Sequence, residues 1–327
     1  VFFRRSLRGD VALVVSNGQI ENMDQLKSIW LDGKLIPWAQ AQVSVLTHTL
    51  HYGVGAFEGI RAYKRASGET AVFRLREHIE RLYDSAKIIQ LEIPYTVAQV
   101  EQACAEVLRD NGLDAGYLRP LVFLGDEQMG LYAPNNTVRL SIIAWRWGAY
   151  LGEEALRRGI HAKVSSYTRA NINSSMAKGK IVGHYVNSIL AKREVKAAGY
   201  DEAIMLDSNG YVAEASGENL FAVRRGVIRT PSTAQCILEG ITRDTIITLA
   251  RELGYTVVEG LLSRDELYTA DEVFLCGTAA ELTPVRMIDH RAIGAGTMGP
   301  VTERIQSRFF EIVRGTTTDH SEWRTVI

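Results

Sequence analysis

Two lysines one residue apart, Lys178 and Lys180 in SSMAKGKIVGHYVNS (174–188), stand just ahead of an apolar stretch with helical spacing. A lysine amine in an apolar surround can act as a nucleophile or a base, while the same side chain on a surface is a solvated charge. A free lysine titrates near ~10.4, so one that works near neutrality has to come down by two to three pK units, roughly 3–4 kcal/mol. Burial and neighbouring positive charge supply that shift. A basic cleft is therefore expected around whichever lysine reacts, and these residues alone do not choose between the two.

Further along, Glu214 sits among small residues in YVAEASGENLF. In an alternating strand Val212, Glu214 and Ser216 share one face, opposite Tyr211, Ala213 and Ala215. An exposed-face charge accounts for such a residue. A carboxylate held against a ring nitrogen would instead keep a heteroaromatic cofactor electron-poor, as carbanion chemistry requires. Two turns add anion-binding capacity. In LEGITRD, Gly240 and Thr242 lie where a loop enters a helix, and free N–H groups gather there. The Thr242 hydroxyl suits either a helix cap or a phosphate oxygen. In CGTAAELTP, Gly277, Thr278 and Ala279 follow an apolar strand and form a candidate nest. Each turn alone is explained by capping or packing; together they suit a phosphate and a carboxylate.

The first half of the chain supplies arginines and aromatic rings. HTLHYGVGAFEGIRAY sets Tyr52, Phe57, Arg61 and Tyr63 among glycines, GYLRP places Tyr117 and Arg119 on one strand face, and Arg81 lies in EHIERLYD. With Lys180 these could form a basic, aromatic-lined cleft for small carboxylates.

These residues need a scaffold. SIWLDGKLIPW alternates around Asp32-Gly33, a type I′ hairpin signal. RLREHIERLYDSAKIIQL carries Ile79, Leu82, Ala86 and Ile89 at helical spacing. Thr96 and Gln99 form a capping box for a helix that stops at Asn111-Gly112. GYLRPLVFLG and VRLSIIAWRWGAY read as strands. In the second half HAKVSSYTR reads as a strand, Ile181 to Ala198 as a helix, and 201–231 as three or four strands with a turn at Ser208-Asn209-Gly210. ITRDTIITLARELG is a helix closed by Gly254, and DEVFLCGTAAELTPV a buried strand. The pattern is mixed α+β with α/β character. It divides into an N-terminal extension (1–22) outside the fold, a small domain (23–150), a linker (151–158) and a large domain (159–327).

The 37 Lys plus Arg and 38 Asp plus Glu among 327 residues give no general pull toward nucleic acid or an anionic membrane. The three cysteines, Cys104, Cys236 and Cys276, lack metal or disulfide spacing, which points to a reducing, cytoplasmic setting without a metal site.

The ordered set HYGVGAFEGIRAY, YLRP, WGAYLG, EASGENLF, LEGITRD and GTAAELTPVR resembles the class IV (fold type IV) pyridoxal-phosphate aminotransferases, and within them the branched-chain amino acid aminotransferases. The resemblance runs from about Ile29 to Trp323, and it implies that the large domain (159–327) binds the cofactor, with the active site between the two domains. It implies pyridoxal 5′-phosphate as cofactor and a ping-pong transfer of the amino group from leucine, isoleucine or valine to 2-oxoglutarate. It implies Lys180 as the Schiff-base lysine, with Lys178 left as a solvated or phosphate-neighbouring charge. It further implies Tyr185 at the cofactor's ring hydroxyl, Glu214 at the ring nitrogen and Leu238 on the ring. Arg81, Gly240, Ile241, Thr242 and Thr278 fall at the phosphate. Tyr52, Phe57, Gly59, Arg61, Tyr117, Arg119, Tyr150 and the Thr278–Ala279–Ala280 turn fall in the substrate pocket, with Arg61 and Tyr117 on the γ-carboxylate of glutamate. Ile181–His184 departs from the small residues and Asn that many bacterial relatives carry after the lysine. The resemblance also implies a homo-oligomer, at least a dimer and up to a hexamer. D-amino acid or (R)-amine aminotransferases and aminodeoxychorismate lyase share the scaffold, and FEGIR and YLRP favour the branched-chain branch. A noncatalytic phosphate-ligand binder would explain the turns but not Lys180 with Glu214.

Overall fold

A computed structural model describes residues 26–148 and 150–327; the expected extension 1–22 lies outside them. The first half supplies β1 (Ser28–Leu31), β2 (Lys34–Pro37), α1 (His48–Tyr52), β3 (Gly55–Phe57), β4 (Ile60–Lys64), β5 (Thr70–Phe73), α2 (Leu75–Ile88), α3 (Val97–Asp110), β6 (Gly116–Leu124) and β7 (Val138–Trp145). The β1–β2 turn has positive φ at Asp32 (47°) and Gly33 (96°), as a type I′ hairpin needs. On α2, Leu75, Ile79, Leu82 and Ala86 are buried, while Arg76 and Glu80 pair on the outer face. Thr96 caps α3 with Gln99 in the expected box. The two helices pack on one side of the sheet around Leu118, Leu140 and Ile142.

The second half supplies α4 (Glu153–Arg158), β8 (Ile160–Val164), α5 (Ile172–Ser175), α6 (Tyr185–Ala197), β9 (Glu202–Leu206), β10 (Val212–Ala215), β11 (Asn219–Arg224), β12 (Val227–Pro231), α7 (Ile241–Glu252), β13 (Thr256–Gly260), α8 (Arg264–Tyr268), β14 (Glu272–Gly277), β15 (Glu281–Ile288), β16 (Arg291–Ala292), α9 (Pro300–Val313) and β17 (Arg324–Val326). Its sheet runs β10-β9-β8-β15-β14-β11-β12-β13, with β16 added on β15. One face holds Ile160, Leu220, Leu267 and Leu275; the other packs α7 and α9 through Ile246, Leu249, Ile305 and Phe309.

Four local expectations change. The segment 151–158, read as a linker, contains α4; Leu151 just before it and Ala155 within it pack against the core of the second sheet, and Leu156 is buried. Glu153 and Glu154 in its first turn and Arg157 and Arg158 in its last match the helix dipole. The chain's last strand, β17, leaves the second unit and pairs with β5 of the first sheet, Arg324 opposite Phe73. The helix expected from Ile181 begins as a 3₁₀ turn at Val182–His184 and becomes α-helical at Tyr185. Simple alternation at 212–216 fails as well. The β9–β10 register shifts between Val212 and Glu214, so a bulge at Ala213 sets where Glu214 falls and all four residues of β10 are buried.

Candidate active site

Lys180 is positioned by the first half of the chain although it belongs to the second. Its N–H donates to Ser85 Oγ of α2 (2.9 Å), and its carbonyl accepts from Phe57 N of β3 (3.1 Å). A bridge between Ala56 and Ile181 completes the seam. The side chain then enters a cleft, where Nζ donates to the Tyr185 hydroxyl at 2.8 Å. Lys178 turns the other way. Its Nζ donates to the carbonyls of Thr233, Gln235 (3.4 Å) and Ile237 (3.1 Å), with Glu239 at 3.5 Å. Half-buried and outside the cleft lining, it ties down the loop before α7.

The cleft gathers Arg81, Lys180, Tyr185, Glu214, Leu238, Gly240, Ile241, Thr242 and Thr278, all nine residues read as cofactor-binding. At one end α7 opens at Gly240 without any side-chain cap, so Thr242 does not cap its own helix. A Cβ at Gly240 would meet Asn219 Oδ1 at 2.1 Å, so any larger residue would have to push the Asn219 side chain off Glu214 and the Leu238 carbonyl. Arg81 reaches the same end from α2. Its Nε and Nη2 donate to Glu58 (2.7 and 2.9 Å), and Nη1 donates to the Glu239 carbonyl (2.8 Å).

At the other end Glu214 Oε2 accepts from Leu238 N (3.1 Å) and Asn219 Nδ2 (3.2 Å), and Oε1 lies 3.1 Å from Arg169 Nε. Burial raises its pKa, opposed by Arg169 and the Leu238 amide. Arg169 is itself fixed by Ser188 Oγ (2.9 Å) and the Ala215 carbonyl (2.9 Å). Burial also opposes the charge on Lys180. Even so, Tyr185, Glu58 and Tyr117 outweigh burial and Arg81, and they hold its pKa above the ordinary lysine value. The expected depression by a basic cleft is thus reversed, because Arg81 is already offset by Glu58 and an acceptor phenol sits on the amine.

An aromatic wall stands beside Lys180, whose Nζ is 5.2 Å from the Phe57 ring, although Phe57, Gly59, Tyr117, Arg119 and Tyr150 are not among the residues that line the cleft. Phe57 lies 4.9 Å from the Tyr185 ring, Arg119 stacks 4.6 Å over Phe57 and 5.4 Å over Tyr117, and Tyr117 meets Trp147 at 4.6 Å. The Arg119 side chain has no hydrogen bond to a described residue, and its Nε is buried without a partner. Gly59 makes room for this wall, since a Cβ there would meet the Tyr117 hydroxyl at 1.7 Å. Arg61 is not on this wall. Its guanidinium donates to the carbonyls of Ala279 (3.1 Å), Trp147 (3.1 Å) and Gly148 (3.0 Å), and it faces a second cavity beside Glu281, 3.8 Å away. Three of its N–H groups go to backbone and it lines the second cavity, not the cleft, so in this structure it does not face the place where a γ-carboxylate was expected. Tyr52 is 41% exposed and packs on His48, outside the cleft lining. Tyr150 stands at the edge of the wall, 5.6 Å from Trp147. Thr278 lines the cleft, while Ala279 and Ala280 give their carbonyls to Arg61 and Thr283.

The sequence reading missed Arg169, His184, Ser188, Glu218, Asn219 and Cys236, which also line the cleft. Asn219 could have been found five residues after Glu214. Arg169 lies in an irregular segment with no periodicity to mark it.

The family described as amino-transferase class IV matches residues 55–288. A branched-chain-amino-acid aminotransferase of Pseudomonas aeruginosa is 53% identical over 299 residues, 91% of this chain and 97% of its own length. The crystal structure of the Escherichia coli branched-chain amino acid aminotransferase aligns with a TM-score of 0.89 at 47% identity, covering 91% of this chain and 98% of that one. That of a branched-chain aminotransferase from the thermophilic archaeon Thermoproteus uzoniensis, with norvaline, aligns with a TM-score of 0.87 at 43% identity, covering 91% and 98%. A further branched-chain amino acid aminotransferase structure, complexed with N-(5′-phosphopyridoxyl)-L-glutamate, aligns with a TM-score of 0.88 at 48% identity, covering 92% and 98%.

Proposed function

This chain belongs to the class IV amino-transferases, of fold type IV, and from that premise we propose that it moves the amino group of branched-chain L-amino acids (leucine, isoleucine, valine) onto 2-oxoglutarate, with pyridoxal 5′-phosphate as cofactor. The observation that carries this reading is one cleft holding Lys180, the buried acid Glu214 and an uncapped helix start; beside Lys180 stands an aromatic wall whose Arg119 side chain has no hydrogen-bond partner among the described residues.

The donors present fit the cofactor. Arg81 keeps N–H groups beyond those given to Glu58 and Glu239, and Thr242 makes no side-chain hydrogen bond among the described residues. Both stand with the first amides of α7, where a phosphate belongs. Glu214, steadied by Asn219, Leu238 N and Arg169, suits a protonated ring nitrogen, and Leu238 suits the ring face.

When bound, pyridoxal 5′-phosphate supplies a ring that takes up the electron pair released at the substrate's α-carbon. Lys180 Nζ would hold the cofactor, and as a free amine it would take the proton from the substrate's α-carbon and hold it for return. The Tyr185 hydroxyl, 2.8 Å from Nζ, orients that amine and would contact the ring hydroxyl. The Thr278–Ala280 turn, braced by Arg61, would take the substrate's α-carboxylate. Phe57 and Tyr117 exclude water around an aliphatic side chain, and Arg119 at their far edge receives the γ-carboxylate when glutamate enters. One wall thereby serves both partners of the ping-pong exchange.

The chain works as a homo-oligomer in this reading. Val45, Leu46, Leu50, Leu131 and Val186 stay exposed, Leu131 at 92%, and a second copy would cover them. Three free, buried cysteines agree with a cytoplasmic setting. Among the described residues no helix is long and apolar enough to cross a membrane.

The test is an amino-donor panel with 2-oxoglutarate. L-Leucine, L-isoleucine and L-valine are expected to react with a yellow enzyme, and D-alanine and an (R)-amine are not. Preference for either of the latter overturns the reading.

A further inference from the structure

Glu58 is fully buried behind the cleft, between the wall residues Phe57 and Gly59, and it does not line the cleft itself. Its carboxylate is completely engaged. Oε1 accepts from Arg81 Nε (2.7 Å); Oε2 accepts from Arg81 Nη2 (2.9 Å), His78 Nδ1 (2.7 Å) and Gly59 N (3.2 Å). Burial alone would raise its pKa, but Arg81 and His78 overcome burial and hold the carboxyl far below the usual range. Burial lowers the pKa of His78 despite Glu58, so the imidazole is a neutral N–H donor.

His78, Arg81 and Ser85 follow one another along the same face of α2. The first two hold Glu58, and the third holds the backbone of Lys180. A buried carboxylate that only staples the fold looks different. Glu272 spends its oxygens on the start of α9, at Val301 N, Thr302 N and the Thr302 hydroxyl, and touches no cleft residue. Glu58 instead grips the one guanidinium that reaches the α7 end of the cleft from the first half of the chain.

We propose that Glu58, backed by His78, is a positioning unit that fixes the Arg81 fork so that its remaining N–H groups point at the cofactor phosphate. The proposal rests on the reading of Arg81 as a phosphate ligand. A bidentate arginine–carboxylate pair has one planar geometry, so holding two edges of the guanidinium dictates where the rest points. The neutral His78 donor and Gly59 N stop the carboxylate from turning.

The test compares cofactor-free protein for pyridoxal 5′-phosphate and for pyridoxal, which lacks the phosphate, by absorbance titration. Glu58→Gln puts an amide N–H against an arginine N–H and should weaken the phosphorylated ligand at least about tenfold, with pyridoxal changed less than about twofold. Glu58→Asp keeps the charge but not the reach and should fall in the same direction, which separates aim from charge. If Glu58→Gln does not yield folded protein, His78→Phe removes one donor and should give a smaller loss in the same ratio.

An unchanged or raised preference for the phosphorylated ligand in these variants overturns the proposal, as does a lowered Tm without a change in that preference. The Glu58→Gln, Arg81→Gln double variant separates the two layers. If it too keeps the full preference, Arg81 is not a phosphate ligand and the proposal falls with it. If it loses the preference while Glu58→Gln keeps it, only the aiming role is lost.

Discussion

At the α7 end of the cleft, Arg81 is locked by Glu58 and the Glu239 carbonyl. Along the aromatic wall, Arg119 stands over Phe57 and Tyr117 without a carboxylate partner among the described residues. The difference fits what each end would hold. A resident phosphate can be met by a preset fork, because the same anion returns in every turnover. A wall that takes leucine in one half-reaction and glutamate in the other cannot commit its cation to an internal acid. A permanent partner would compete with the γ-carboxylate, and a charge facing only apolar groups would cost too much to keep. Aromatic faces offer an intermediate solution, since they stabilise a guanidinium without consuming its donors.

The comparison yields tests in order of size. Lys180→Ala should lower turnover by at least about a thousandfold and abolish borohydride fixation of the cofactor, read by mass spectrometry. Arg119→Met should raise the KM for 2-oxoglutarate about 10- to 100-fold, while that for leucine moves less than about threefold. Equal effects on both substrates would remove the distinction between the two ends. Arg61→Met should do what Arg119→Met does not. It frees three carbonyls at once, so Tm should drop by roughly 3–8 °C and both KM values should rise in parallel. Lys178→Ala should keep the yellow colour and cost about threefold in activity through a loosened 233–237 loop, visible as faster amide exchange there.

The smallest effect concerns pH. Glu218 in the cleft is pushed up from 4.5 to about 8, by burial first and then by the carboxylate of Glu202. The folded state therefore binds a proton that the unfolded state has released, so this residue's contribution falls as pH rises from about 4.5 to about 8. Glu218→Gln should flatten the decline of Tm across that window; an unaltered slope would show that the carboxyl does not titrate there.

Much of the scaffold was legible in advance because it depends on local rules. The Asp32-Gly33 hairpin, the Thr96–Gln99 box and the apolar stripe of α2 are each set by residues within a few positions of one another. Helix α4 was missed because six residues give periodicity too little length to show, although its acidic start and basic end were present. The strand β17 could not be foreseen, since its partner β5 lies about 250 residues earlier.

For the site, the sequence by itself determined the chemical inventory: a lysine, an acid, two anion-binding turns and a set of aromatic rings in a recognisable order. The identity of these groups is carried by single residues and short motifs, which no packing can alter. Only the tertiary structure decided their employment. Lys178 and Lys180 are the same amine, and Arg61 and Arg119 the same guanidinium, until distant carbonyls, phenols and rings claim one of each pair. A long cationic side chain takes its role from the partners within reach, and those partners are brought there by strands far apart along the chain.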